Sequence, residues 1–140
     1  MKGINILLIE DNEGDILLTV EAFEESKIIN NIKTIKDGKL AISHFESLAK
    51  KDDMPQLVLL DINLPKVNGH EVLNYIKNDE RYKRIPVIML TTSSSQTDIL
   101  KSYNNHVNCY ITKPIDVADF MATMAKIEDF WINIVTIPVK

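Results

Sequence analysis

The stretch LVLLDINLP, Leu57 to Pro65, decides the fold. Four apolar residues lead into a carboxylate, and a turn with a proline follows. An apolar run this short, without polar alternation, reads as a strand buried on both faces, as in a parallel sheet. Asp61 then falls at the strand's carboxyl end, the edge at which open α/β sheets place their ligands. A strand that ends in Asp is by itself a weak signal, because Asp also serves simply to start a turn. Two further strand-like runs add weight. INILLI (Ile4–Ile9) ends in Glu10-Asp11, and CYIT (Cys109–Thr112) ends in Lys113-Pro114.

Outward from that strand, strand-like and helix-like segments alternate five times. Ile4–Ile9 is a first strand. Asp15–Lys27 predicts a helix with Ile16, Val20, Phe23 and Lys27 on one stripe. Ile32–Lys36 is a short second strand, Asp37-Gly38 has turn chemistry, and Leu40–Lys50 predicts a second helix before the loop Lys51–Pro55. Leu57–Asp61 is the third strand. Asn68-Gly69 reads as a turn, followed by a helix through Val72, Leu73 and Ile76, and Pro86–Leu90 (PVIML) is the fourth strand. Ser95, with Asp98 three residues on, resembles a capping box and opens a helix to about Asn104. Cys109–Thr112 is the fifth strand, and Asp116 suits the N-cap of a last helix. Val117, Phe120, Met121, Met124, Ile127, Phe130, Trp131 and Ile134 then recur at helical spacing and form one broad apolar face, expected in the core. Such alternation implies a parallel sheet with helices on both faces and right-handed crossovers. Ile134–Lys140 lies outside it. This apolar tail, with Ile137, Pro138 and Val139, is expected to dock back on the domain or to meet a second copy.

At 140 residues the chain reads as one domain, and 45% hydrophobic with 26% charged residues is the composition of a soluble globular protein. The net charge of −4 lacks the clustered basic face of a nucleic-acid binder, so no nucleic-acid partner is expected. The nearest basic run, Lys77–Arg84, contains Asp79 and Glu80 and reads as a solvated helix end. Cys109 is the only cysteine, which excludes an internal disulfide, and its apolar surroundings suit an inert thiol. No apolar run approaches the ~20 residues of a membrane span. Glu10 interrupts the first apolar run before a signal-peptide core could form. A cytoplasmic, reducing setting with no membrane partner is therefore expected. His44, His70 and His106 are widely separated, lack ligand spacing, and read as surface or packing residues.

Parallel strands all point one way, so Glu10, Asp11, Asp61, Thr91 and Lys113 gather at one edge. Three crowded carboxylates raise one another's pKa, and a divalent cation relieves the repulsion. Oxygen-only ligands favour a hard ion, and Mg²⁺ commonly takes one or two carboxylates with several waters. A cation site beside a lysine and a hydroxyl suits a phosphoryl group, whose transfer needs positioning and charge neutralisation above all. A carboxylate can itself be the nucleophile and form an aspartyl phosphate. Asp61, on the central strand, is the candidate.

This constellation resembles the receiver domain of two-component response regulators. The likeness rests on IEDNEGD (Ile9–Asp15), LLDINLPKVNG (Leu59–Gly69), PVIMLTTS (Pro86–Ser93) and YITKPID (Tyr110–Asp116), in that order. It covers about Ile4 to Trp131, so residues 1–140 read as a single receiver domain with a core of about 4–131 and a tail at 132–140. The resemblance implies a flavodoxin-like (βα)5 fold, a doubly wound parallel five-stranded sheet of order 2-1-3-4-5. It implies that Asp61 is the phosphoacceptor and that Glu10, Asp11, Asp61 and the backbone carbonyl of Asn63 hold Mg²⁺. Lys113 and Thr91 would engage the phosphoryl oxygens, Tyr110 would turn inward as the switch aromatic, and the bond before Pro114 would be cis. Asn63 and Ser93, two residues beyond Asp61 and Thr91, would tune the hydrolysis rate. Glu10 stands where many members have Asp, and Asp37–Pro55 is longer than usual in the family.

No output block follows the receiver pattern, so the resemblance implies a stand-alone response regulator. A sensor histidine kinase would phosphorylate Asp61, and the surface of the fourth helix, fifth strand and fifth helix would signal to a downstream protein. It would be a phosphoacceptor that assists its own phosphorylation and dephosphorylation, not an enzyme with a separate substrate. SYNNHVNCYITKPID and IEDFW (Ile127–Trp131) are similar to the small regulators paired with bacterial and cyanobacterial phytochrome kinases, which tend to form homodimers. The alternative is a phosphorelay intermediate that hands the group to a histidine phosphotransfer protein. Two enzymes of related fold fit worse. A haloacid-dehalogenase-type phosphatase wants Asp at position 63, where this chain has Asn63. A flavodoxin wants a Ser/Thr/Gly-rich loop where it has Glu10-Asp11-Asn12-Glu13.

Overall fold

Strands covered on both faces need no polar alternation, and the buried stretches Ile6–Ile9, Leu57–Leu60 and Val87–Leu90 are apolar without a break. In the computed structural model, residues 4–25, 30–48 and 54–137 are described. Among them β1 (Ile4–Ile9), β2 (Asn30–Ile35), β3 (Leu57–Leu60), β4 (Val87–Thr91) and β5 (Cys109–Thr112) form one parallel sheet of order β2-β1-β3-β4-β5. This is the expected flavodoxin-like order.

The period of two along each strand divides the core. Leu7, Ile9, Val58, Leu60, Val87 and Met89 face α2 (Gly38–Glu46) and α3 (Gly69–Asn78), where they meet Ala41, Phe45, Val72, Leu73 and Ile76. Ile6, Leu8, Leu57, Leu59, Ile88 and Leu90 face α1 (Glu13–Glu24) and α5 (Val117–Glu128), where they meet Ala22, Phe23, Phe120, Met124 and Ile127. Truncating one of these fully enclosed Leu or Ile side chains to Ala costs roughly 2–5 kcal/mol. Between β4 and β5, α4 (Gln96–Asn104) packs beside α3 and buries Ser102.

Each of the helices α1 to α5 begins on a capping side chain. Asn12, Asp37, Asn68, Ser95 and Asp116 accept from the backbone amides of Asp15, Leu40, Glu71, Asp98 and Asp119. Such caps satisfy amides that the helix leaves unpaired. Asp116 and Ser95 match expectation. Asp37-Gly38 and Asn68-Gly69 are helix starts and not free-standing turns, and α1, capped by Asn12, begins at Glu13, two residues before the predicted Asp15. Asp98 does not close a reciprocal capping box, because its carboxylate is used elsewhere. The run Lys77–Arg84 is more than a solvated helix end: the Lys77 ammonium donates to the carbonyls of Lys83 (3.1 Å) and Ile85 (2.8 Å) and to Asn108 Oδ1 (2.9 Å), tying α3 to the starts of β4 and β5. α2 ends at Glu46 with Ser47 as its C-cap, short of the expected Lys50. Lys27, Ala49, Lys50, the loop residues Lys51–Asp53, and Pro138 and Val139 of the tail lie outside the described residues.

The expected continuous apolar face of the last helix is corrected beyond Glu128. A π-helical segment, Asp129–Ile134, follows α5, and the Val135 amide donates to the Phe130 carbonyl five residues back. A wider turn rotates the side chains out of the α-helical register. Trp131 and Ile132 therefore pack on the core, while Phe130 and Ile134 stand in solvent. At the helix start Val117 is exposed as well.

Candidate functional site

The carboxyl ends of β1, β3, β4 and β5 meet at one edge, and the sheet's own ladder sets the spacing there. The Asp61 amide donates to the Ile9 carbonyl at 3.0 Å, and the Lys113 amide to the Thr91 carbonyl at 2.7 Å. Glu10, Asp61, Thr91 and Lys113 are buried, with 3%, 7%, 0% and 6% of their surface exposed, while Asp11 remains open to solvent. Buried charges persist only when paired. Here the Lys113 ammonium supplies the pairing, bonding to Glu10 Oε1, to Asp15 Oδ2 at 2.9 Å and to Asp61 Oδ2 at 3.3 Å. The other oxygen of Asp61, Oδ1, accepts from the amides of Ile62 (2.7 Å) and Asn63 (3.4 Å).

Burial pushes the Glu10 carboxyl up to about 7, against the Lys113 bond that pulls it down and with the Asp61 charge adding to the rise. Burial alone would lower the Lys113 ammonium, but the bonds to Glu10 and Asp15 outweigh it and raise the lysine's pKa. Glu10, Asp11 and Asp61 each offer a carboxylate oxygen, all within 4.8 Å of one another. Oxygen donors at this spacing fit a hard divalent cation, with Asp11 on the open side for water ligands. The structure thus brings together Glu10, Asp11, Asp61 and Lys113, as the sequence predicts. Asp15 was missed as a lysine partner. It lies within the IEDNEGD segment, and the Asn12 cap at 2.9 Å to its amide turns the first helical turn toward the edge.

Thr91 ends β4, and its Oγ1 accepts from the Ser93 amide at 3.4 Å. Tyr110 is half-buried against the α2–α3 side of the core, and its hydroxyl donates to the Ser93 carbonyl at 2.8 Å. The ring is therefore turned inward, toward the β4–α4 loop. The Ser93 hydroxyl donates to Asp98 Oδ2 at 2.6 Å, and Asp98 Oδ1 meets His70 Nε2 at 2.9 Å. Ser93 first, then His70, hold the Asp98 carboxyl below the usual range. His70 and Asp98 are thus joined to the site's rim, where the sequence had suggested packing and a cap. The expected cis bond before Pro114 is corrected: no described peptide bond is cis. Even before proline the trans form is favoured, by about 0.5–1 kcal/mol, and Lys113 reaches its three carboxylates from that backbone.

The profile of the response regulator receiver domain matches residues 6–125. The probable methanogenesis regulatory protein FilR2 of Methanothrix harundinacea is 42% identical over 129 residues, covering 91% of this chain and 83% of FilR2. The response regulator Rcp1 of Synechocystis is 41% identical over 135 residues, 95% of this chain and 92% of Rcp1. The crystal structure of the Mn²⁺-bound form of Rcp1 superposes with a TM-score of 0.91, covering 96% of this chain and 99% of that one. The phosphorylated cyanobacterial phytochrome response regulator RcpA superposes at 0.93 with 41% identity, covering 98% of this chain and 99% of RcpA.

Proposed function

Because this chain belongs to the response regulator receiver-domain family, we propose that Asp61 accepts a phosphoryl group from the phosphohistidine of a sensor kinase. The observation that carries this reading is the Lys113 ammonium set between Glu10 and Asp61 at the sheet edge. An Asp61 carboxylate oxygen attacks phosphorus, the phosphorus–nitrogen bond to the donor imidazole breaks, and an acyl phosphate remains. Mg²⁺ is the ion proposed for Glu10, Asp11, Asp61 and the Asn63 backbone carbonyl, where it would neutralise charge on the transferring group. Lys113 then exchanges a carboxylate partner for a phosphoryl oxygen, and the Thr91 hydroxyl donates to another. Asn63 and Ser93 border the path of the water that later hydrolyses the acyl phosphate.

The new charge is read by Thr91 and Tyr110, and the surface of α4, β5 and α5 passes it to a downstream protein or to a second copy of the chain. A single receiver domain acting through contact suits relatives that this chain covers over 83–92% of their length. The likeness to Rcp1 and RcpA supports a phytochrome-type kinase as the donor. FilR2 is as similar and serves another pathway by its name, so phosphotransfer from a phytochrome kinase, compared directly with a light-independent kinase, decides the point.

The test of the chemistry is intact-protein mass after incubation with acetyl phosphate, with and without Mg²⁺. The expected result is a Mg²⁺-dependent gain of one phosphoryl group that disappears in Asp61→Asn. Absence of any gain in the wild type would defeat the reading.

A further inference from the structure

His70 lies in the first turn of α3 with 5% of its surface exposed. Its Nε2 donates to Asp98 Oδ1 on α4, and its Nδ1 is buried with no partner among the described residues. Asp98 Oδ2 accepts from the Ser93 hydroxyl, the Ser93 carbonyl accepts from the Tyr110 hydroxyl, and the Ser93 amide donates to Thr91 Oγ1. One unbroken chain of polar contacts thus runs from α3 through α4 and the β4–α4 loop to β5. Packing alone does not call for an imidazole here. A buried ring nitrogen without a partner is costly, and an apolar side chain would avoid the cost. The bond to Asp98 is what the imidazole adds, and Asp98 directs its second oxygen at the loop.

We infer that His70 is a positioning residue of the switch: through Asp98 it fixes the Ser93 backbone to which the Tyr110 hydroxyl bonds, and so favours the inward Tyr110. This rests on the reading of Thr91 and Tyr110 as the switch pair. A chain already in the inward state presents a larger competent fraction to its donor, and apparent affinity scales with that fraction. His70 touches neither donor nor acceptor. Its effect is on a population.

The experiment is ¹⁹F NMR of the full unphosphorylated chain labelled with 3-fluorotyrosine, with the Tyr110 signal assigned by Tyr110→Phe. In His70→Leu and in Asp98→Ala the ratio of inward to outward Tyr110 is expected to fall roughly fivefold, the factor that one ordinary hydrogen bond supplies. His70→Gln, whose side-chain amide can still donate to Asp98, is expected to retain the wild-type signal. An unchanged Tyr110 signal in folded His70→Leu or in Asp98→Ala overturns the inference, as does a Gln variant altered as much as the Leu variant. If His70→Leu does not fold, Asp98→Ala and His70→Gln decide by the same criteria. Because no phosphoryl group is present, this outcome is independent of the acetyl phosphate test, whose failure would strike the receiver chemistry alone.

Discussion

Glu10 carries a pH-sensitive charge in the candidate site. Its carboxyl, pushed up to about 7 chiefly by burial, is half protonated near neutrality. A cation bound there must displace that proton, because metal ligands bind deprotonated. Mg²⁺ affinity is therefore expected to rise about tenfold per pH unit below 7 and to level off above it. Calorimetric titration at pH 6 and pH 8 checks this, and Glu10→Gln should flatten the dependence. The sign for folding is opposite. The folded metal-free protein holds this proton more tightly than the unfolded chain, so from Glu10 alone it gains stability as pH falls from about 7 toward the ordinary 4.5. At this scale the sequence was informative about which residues meet, since Glu10, Asp61 and Lys113 each end an apolar run. It was silent about Asp15 and His70, because a carboxylate in a first helical turn and a lone histidine each have an ordinary use.

Among the elements, the β3–α3 connection leaves no room for a side chain at Gly69. A Cβ on Gly69 would lie 2.0 Å from the Asp61 carbonyl oxygen and 2.7 Å from the Ile62 Cα. Both neighbours are backbone, so the loop behind Asp61 would have to move. Gly69→Ala is expected to lower the unfolding free energy by about 3 kcal/mol and to slow modification of Asp61. Urea denaturation and the acetyl phosphate assay measure the two effects. Strands and helix starts were readable because they follow from local rules: unbroken apolar runs, and Asx or Ser residues before a periodic stretch. The register beyond Glu128 was not. Counting by 3.6 places Phe130 and Ile134 inside, and the π-helical turn that exposes them depends on Trp131 and Ile132 finding room against the α1–α5 side of the core.

For the molecule as a whole, that turn leaves Phe130 and Ile134 exposed together with Leu100, Tyr103 and Val117 of α4 and α5. Exposed apolar side chains on these elements suit burial by a partner, and a second copy of the chain docking on this side would use them. Sedimentation velocity across a dilution series is expected to show a dimer that dissociates on dilution, and Phe130→Asp with Ile134→Asp to give a monomer at all concentrations. A monomer in the wild type throughout would refute it. The sheet order was legible from the alternation of segments, whereas this surface was not, because one shift in helical register decides which side chains it contains.

The link between Lys113 and Glu10 spans 103 positions of the chain. During synthesis β1, β2 and β3 emerge first, and their edge holds Glu10 and Asp61 while the lysine that neutralises them is still unmade. An early-folded half would have to carry those two acids protonated or facing water. The sheet's last strand therefore brings the charge that lets its first one settle, and no shortened chain ending before residue 113 can hold this site in its finished form.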